Sequence, residues 1–237
     1  MRLLWYQFQS TMSRNDSSRP LVLLGSNSNI LKLVELAESC GVAVEGIIDD
    51  DYHGQGQYKG IPVVAQEQDI AKFADTHQFL CATNWTPDPG SARNREKRTK
   101  QLTLITQNRL PLATLVSPLA AVSRYSVIQA GTIIYPFASI EPEVVIGSHS
   151  ILYDYSIVGH ESRVGHNVVL QRHVLVTSLV TVENNVYMGL CSRAGRSSTT
   201  LGNGTFVHPN VMILRGTDPN EVVSLASRKT YPQLVVE

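Results

Sequence analysis

The chain is short of cysteine, of charge imbalance and of long apolar runs, and each shortage removes a class of protein. It has 237 residues and three cysteines, Cys40, Cys81 and Cys191. An odd number of widely spaced cysteines makes neither a disulfide framework nor a CxxC metal pair, and it fits a reducing cytoplasm. Twenty basic residues balance twenty acidic ones, so the basic surplus of a nucleic-acid binder is missing. No apolar run approaches the length of a membrane span. The opening MRLLWYQFQSTMSRNDSSRP has apolar residues but no long hydrophobic core and no small-residue cleavage site, so a signal peptide is not expected. Residues 13–19 are polar and serine-rich; residues 1–19 read as a flexible leader, with Met12 an alternative start to Met1.

Two grammars divide the rest. Between residues 20 and 116, short apolar runs alternate with helical patterns. Leu21-Val22-Leu23-Leu24 is a buried-strand run ending at Gly25. Ser26-Asn27-Ser28-Asn29 follows, a turn of helix-capping residue types. Ile30, Leu33, Val34 and Ala37 recur at helical spacing, and Gly41 ends the helix. Val42–Ile48 reads as a second strand closed by Asp49-Asp50-Asp51, and Phe79–Ala82 as a third. Residues 94–107 read as an exposed helix, with the basic run Arg93 to Lys100 as its solvated face. This βαβ alternation predicts a small parallel sheet in an α/β domain. Ligands of such sheets sit at the carboxyl ends of strands, beside helix N-termini. Gly25, Ser26 and Asn27 are at such a place. Asp49 and Asp50 lie at the next strand end, where a carboxylate commonly meets a ribose or base. The turn has one glycine where a dinucleotide fingerprint has several, so an ordinary strand–turn–helix junction is the other reading.

From residue 117 to 217 the period changes to six. Val122, Ile128, Ile134, Ile140, Ile146, Leu152, Val158, Val164, Leu170, Val176, Val182 and Met188 are all aliphatic or methionine. Four positions after each stands a small or β-branched residue, from Ser126 and Thr132 through to Val186 and Ser192. Ala194 keeps the frame; it then slips by one residue within 196–199 and resumes at Leu201, Val207 and Ile213. A hexapeptide period marks a parallel β-helix, in which three six-residue units close one triangular coil. The aliphatic residue points inward and the small one fits the corner. Residues 218–237 form a closing tail.

The chain resembles the bacterial sugar acyltransferases of the NeuD and PglD family, which join a small Rossmann-like domain to a left-handed β-helix, against the usual right-handed crossover. The resemblance runs from Leu21 to about Lys229. It is carried by Leu21-Val22-Leu23-Leu24-Gly25, by Gly46-Ile47-Ile48-Asp49-Asp50, by Gly60-Ile61-Pro62-Val63, by Val158-Gly159-His160-Glu161 and by Val222-Val223-Ser224-Leu225-Ala226-Ser227-Arg228-Lys229. Three places depart from the family pattern. The glycine-rich turn is here GSNSN, the segment before the histidine is Tyr153-Asp154-Tyr155, and a second family histidine falls on Val169.

The resemblance implies acyl transfer from acyl-CoA, most simply acetyl-CoA, to an amine on a nucleotide-linked sugar. It implies a homotrimer with active sites between subunits and no metal. His160 is then the general base, a task suited to imidazole near neutral pH, and Glu161 its orienting partner. Adjacent residues face opposite ways on a strand, but not necessarily at a corner. The Ser178 amide is the oxyanion donor, eighteen residues and one coil after His160. Gly25, Ser26, Asn27, Asp49, Asp50, Asp154 and Tyr155 are the expected substrate-binding residues, and Ser178, Gly189, Gly195 and Lys229 the expected CoA-binding ones. His149, His166, His173 and His208 read as solvated edge residues, and Cys191 as filler. Transfer to a sugar hydroxyl, as in the sialic acid branch, and a non-catalytic β-helix scaffold are the alternatives. A zinc site of three converging histidines is not expected, because His160 and His166 fall on different faces of a coil.

Overall fold

The structure is a computed structural model that describes residues 18–85, 92–195, 197–225 and 228–230, the last three as backbone. The expected leader therefore lies almost wholly outside the described residues. The chain divides into two compact units at Leu115/Val116.

The first unit is built on a five-stranded sheet. Its strands are β1 (Leu21–Leu24), β2 (Val44–Ile48), β3 (Gln57–Tyr58), β4 (Ile61–Ala65) and β5 (Gln78–Cys81), in the order β3-β4-β2-β1-β5. β1 pairs in parallel with both β2 and β5, β2 pairs in parallel with β4, and β3 adds an antiparallel edge. All four residues of β1 are fully buried, as a central strand covered on both faces requires. Helix α1 (Ile30–Ser39) buries Ile30, Leu33, Leu36 and Ala37. It ends at Gly41, whose φ of 72° is the left-handed conformation that lets the Val42 N–H return to the Ala37 carbonyl.

Helix α2 (Ala92–Gln107) differs from the expectation of a solvated basic helix. Arg98 is 2 % exposed and Gln101 fully buried. Arg98 donates to the Thr83 carbonyl at 2.7 Å, and Gln101 Nε2 to Glu67 Oε1 at 2.8 Å. Polar side chains face inward here because strand-end carbonyls and a buried carboxylate need donors. Burial also pushes the Cys81 thiol up, with the neighbouring guanidinium opposing.

The second unit consists of short parallel strands, two residues each up to Ile213, in three stacked sheets, closed by the antiparallel pair Glu221–Val223 and Arg228–Thr230. Partners lie one coil apart: Ile151 pairs with Ile133 below and Val169 above, and Ile157 with Ser139 and Leu175. The arrangement fits a left-handed β-helix. The inward aliphatic column, from Ile128 to Ile213, forms one continuous core. Each such side chain contributes about 1.5–3 kcal/mol of burial. Corners recur with the same period, marked by left-handed residues at Phe137, Glu143, His149, Tyr155, Glu161 and onward. After some corners the small residue does more than fit. Ser162 Oγ donates to the Thr177 carbonyl at 2.9 Å and accepts from the Val180 N–H at 3.1 Å, tying two coils together. At the frame slip, Thr181 pairs with Thr200, and Leu201, Val207 and Ile213 return to the core.

Candidate active site

His160 and Glu161 occupy the corner between the strands Ile157–Val158 and Arg163–Val164. Glu161 has φ 58°. That left-handed turn brings two neighbouring side chains to one side, and His160 Nδ1 lies 3.2 Å from Glu161 Oε1. With Nδ1 donating to the carboxylate, Nε2 keeps its lone pair toward solvent. Both side chains are about half exposed. The corner is held from below by Glu141, whose Oε2 accepts from the His160 N–H at 2.8 Å. It is held from above by the Leu179 N–H, which donates to the His160 carbonyl at 3.0 Å. The role of Glu141 escapes a reading by residue type. Its signal is spacing, one coil plus one residue before His160.

Ser178 stacks on Gly159. A Cβ on residue 159 would lie 2.5 Å from the Ser178 amide nitrogen, so only glycine leaves that amide uncovered. Among the described residues no acceptor pairs with this N–H. The corner thus places a base-competent imidazole and a backbone donor in consecutive coils. Gly195 lies in the same corner column, where a Cβ would meet only ordinary contacts to Leu214 and Met212.

Asp154, Tyr155 and Gly189 lie at a different corner, after the strands Ile151–Leu152 and Tyr187–Met188. Tyr155 is stacked between Phe137 and His173, with ring centroids 5.0 and 4.9 Å away. Asp154 pairs with Arg172 at 3.4 Å. Within one protomer these residues are not brought beside His160. Cys191 is an exposed free thiol in the same corner column. Lys229 lies in a strand, but its side chain is outside the described residues.

The α/β unit carries a cleft of about 540 Å3 at the carboxyl ends of its strands, lined by Ser26, Asn27, Asp51, Tyr58, Arg93 and Lys97, among others. Gly25, Ser26 and Asn27 form its turn. Asp49 is fully buried beneath it. Its Oδ2 accepts from Ser26 Oγ at 2.6 Å and its Oδ1 from Lys97 Nζ at 2.7 Å. Asp50 turns aside: it accepts from the Glu67 N–H at 2.8 Å and pairs with Lys100 at 3.2 Å. Asp51 lines the cleft instead, bonded to Lys97 at 2.8 Å and to Arg93 at 2.9 Å. The hydrogen bond from Lys97 holds the Asp51 carboxyl below its ordinary range. Burial would lower Lys97, but its bonds to Asp49 and Asp51 more than offset that and raise it. Arg93 and Lys97 were legible only as part of a basic run; their spacing of four on α2, which brings both to Asp51 and Lys97 to Asp49, was the available signal.

Among the described residues, no group of three or more His, Cys, Asp or Glu is placed to hold a metal ion, and no helix is long and apolar enough to cross a membrane. No family model matches the sequence, and no curated protein does. Solved structures do match. A mutant of the perosamine N-acetyltransferase of Caulobacter crescentus, in complex with CoA and GDP-perosamine, is 18 % identical over 90 % of this chain and 97 % of its own, with a TM-score of 0.76. WeeI of Acinetobacter baumannii is 16 % identical over 89 % of this chain and 99 % of its own, with a TM-score of 0.74. The acetyltransferase domain of PglB from Neisseria gonorrhoeae, in complex with acetyl coenzyme A, is 21 % identical over 90 % and 100 %, with a TM-score of 0.52. The chain shares their fold.

Proposed function

We propose that this protein is a CoA-dependent sugar N-acyltransferase that moves an acetyl group from acetyl-CoA to the amine of a nucleotide-linked amino sugar. The observation that carries the reading is the His160–Glu161 corner with the Ser178 amide one coil above, in a chain whose fold likeness spans 90 % of its length. One such neighbour binds CoA and GDP-perosamine and another acetyl coenzyme A.

An ammonium has no lone pair, so the acceptor reacts as the neutral amine, and its nitrogen must give up a further proton as the new bond forms. Nε2 of His160 takes that proton, while Glu161 holds Nδ1–H and stabilises the imidazolium that forms. The new bond joins the sugar nitrogen to the thioester carbon, and charge gathers on the thioester oxygen. The Ser178 N–H faces that charge; a donor of this kind lowers the barrier by about 3–4 kcal/mol. The carbon–sulfur bond then breaks, leaving the amide and the CoA thiolate, which takes up the proton held by the His160 imidazolium and so restores the base. Transfer is direct, with no acyl-enzyme and no metal step. The α/β unit, read as Rossmann-like, holds the nucleotide in its cleft. Gly195 lies along the CoA arm, in the same corner column as His160. Asp154, Tyr155 and Gly189, displaced from His160 within one protomer, reach an active site only across a subunit seam, which a homotrimer provides. The three free or dispersed cysteines fit a cytoplasmic enzyme.

The test is an acceptor panel with labelled acetyl-CoA: nucleotide-linked amino sugars, free amino sugars and neutral or acidic sugars. Amide formation on a nucleotide-linked amino sugar, abolished by His160→Ala, is the expected result. Transfer only to hydroxyls reassigns the enzyme to O-acetylation. If acetyl-CoA neither binds nor raises the melting temperature, the scaffold reading replaces both.

A further inference from the structure

This inference rests on the reading that the acceptor is nucleotide-linked. A nucleotide brings a diphosphate, which α/β units ordinarily meet with the amides of the glycine turn and the following helix. Here part of that set is already engaged within the chain. The Asn29 N–H donates to Asn27 Oδ1 at 2.7 Å, the Ile30 N–H to the Asn27 carbonyl at 3.2 Å, and the Lys32 N–H to the Asn29 carbonyl at 3.0 Å. Asn27 is itself tied through Nδ2 to the Ala82 carbonyl. Nor is Gly25 bare for a ligand. A Cβ there would lie 2.1 Å from Thr83 Oγ1 and 2.6 Å from Gln101 Nε2, so the glycine makes room for its own chain.

The cations stand on the other wall of the same cleft. Lys97 is 15 % exposed and committed to Asp49 and Asp51. Arg93, one turn earlier on α2, is 80 % exposed and spends one Nη on Asp51. A guanidinium has five donors in a fork that suits phosphate as well as carboxylate. Asp51 occupies that fork as a phosphate oxygen would.

We propose that the anion subsite of this protein lies on α2 rather than on the glycine turn. The nucleotide's phosphate binds Arg93, with Lys97 behind it, by displacing the Asp51 carboxylate. The freed Asp51 then accepts from donors on the ligand. The site is neutral when empty, so it selects a ligand that brings a phosphate together with hydrogen-bond donors, as a nucleoside diphosphate sugar does, rather than a bare polyanion.

Calorimetric titration of the full chain with inorganic pyrophosphate, GDP and UDP at fixed ionic strength tests this, with far-UV dichroism and melting confirming that each variant is folded. Arg93→Gln is expected to weaken whichever nucleotide binds by about tenfold or more, and to flatten its salt dependence. Arg93→Lys recovers only part, because charge without the fork is insufficient. Asp51→Asn removes the internal competitor and is expected to tighten pyrophosphate severalfold, a gain that a merely structural role would not produce. Unchanged nucleotide affinity in Arg93→Gln, or weaker pyrophosphate binding in Asp51→Asn, overturns the inference. So does failure of all three probes to bind the wild type; transfer to a nucleotide-free amino sugar would still support the acyltransferase reading. If nucleotides bind through Arg93 but no acceptor is ever acylated, the enzyme assignment falls and the subsite stands.

Discussion

Gly159 and Ser178 face each other across one coil of the β-helix, so closely that a Cβ on residue 159 would be 2.5 Å from the Ser178 amide nitrogen and 2.8 Å from its hydroxyl. One methyl group at residue 159 must therefore move the backbone at residue 178. Gly159→Ala is expected to lower kcat by about 10²–10³, the cost of losing one oxyanion donor, with less effect on the KM for acetyl-CoA. Steady-state kinetics against both substrates checks this. A rise in KM alone would show that the glycine serves only cofactor access.

On the proposed mechanism, removing the imidazole removes the base. His160→Ala is expected to reduce kcat/KM by about 10²–10⁴, the usual range for general base catalysis. Glu161→Gln keeps a hydrogen-bond acceptor but loses the charge, so its loss is smaller, about tenfold. Both side chains are half exposed, so neither change is expected to alter the melting temperature. A His160→Ala variant that has lost its fold would make the corner structural instead.

The ion cluster of the α/β unit gives a pH dependence with a definite sign. The Asp51 carboxyl is depressed by Lys97. Its contribution to stability is present above the ordinary value of 3.8 and is lost as pH falls through the lower folded value. Lys97 is raised, so its contribution is full below 10.5 and is lost only as pH climbs past that. Lys97→Met leaves the buried Asp49 uncompensated, a loss of about 3–5 kcal/mol near neutrality. Urea unfolding of both proteins at pH 7 and down through the acid range should show the gap shrinking as the pH falls through the lowered range of the Asp51 carboxyl. A gap independent of pH would assign the loss to packing.

The β-helix was legible because its repeat is enforced at every coil. Val158 and Val176 must point inward, and the slip at 196–199 shows as a shift in spacing that the Thr181–Thr200 pairing reproduces. Residue type at one position sufficed. The α/β unit was legible in β1, β2, β5 and α1, where burial follows apolar periodicity, but β3 and β4 were not read as strands. In α2 the helix was legible but its buried face was not: Arg98 and Gln101 are held by bonds to Thr83 and Glu67, far apart in sequence. Polar burial leaves no hydropathy pattern, so such partners appear only once the chain is folded. The same holds for Glu141 beneath His160. Tyr155 was readable as a repeat position, yet its place on another corner from His160 follows from counting faces, not from its nearness in sequence.

Leu179 sits one coil above Glu161 with φ 63° and is 43 % exposed. A left-handed conformation strains a Cβ, and asparagine bears it best among non-glycine residues. This chain places Asn167, Asn185 and Asn210 in that conformation at other corners. Leu179→Asn should therefore relieve strain and stabilise the protein by about 0.5–1 kcal/mol, read as a higher urea midpoint with an unchanged slope. Left-handed residues mark the corners throughout the β-helix; Leu179 differs from Glu143, Glu161 and Ser198 of its own column in presenting an apolar side chain, 43 % exposed. The apolar surface it presents is expected to support the bound acyl donor, so the same variant should raise the KM for acetyl-CoA severalfold while leaving kcat nearly intact. Higher stability with unchanged kinetics would place Leu179 outside the active site. Lower stability would show that leucine packing outweighs the backbone strain at this corner.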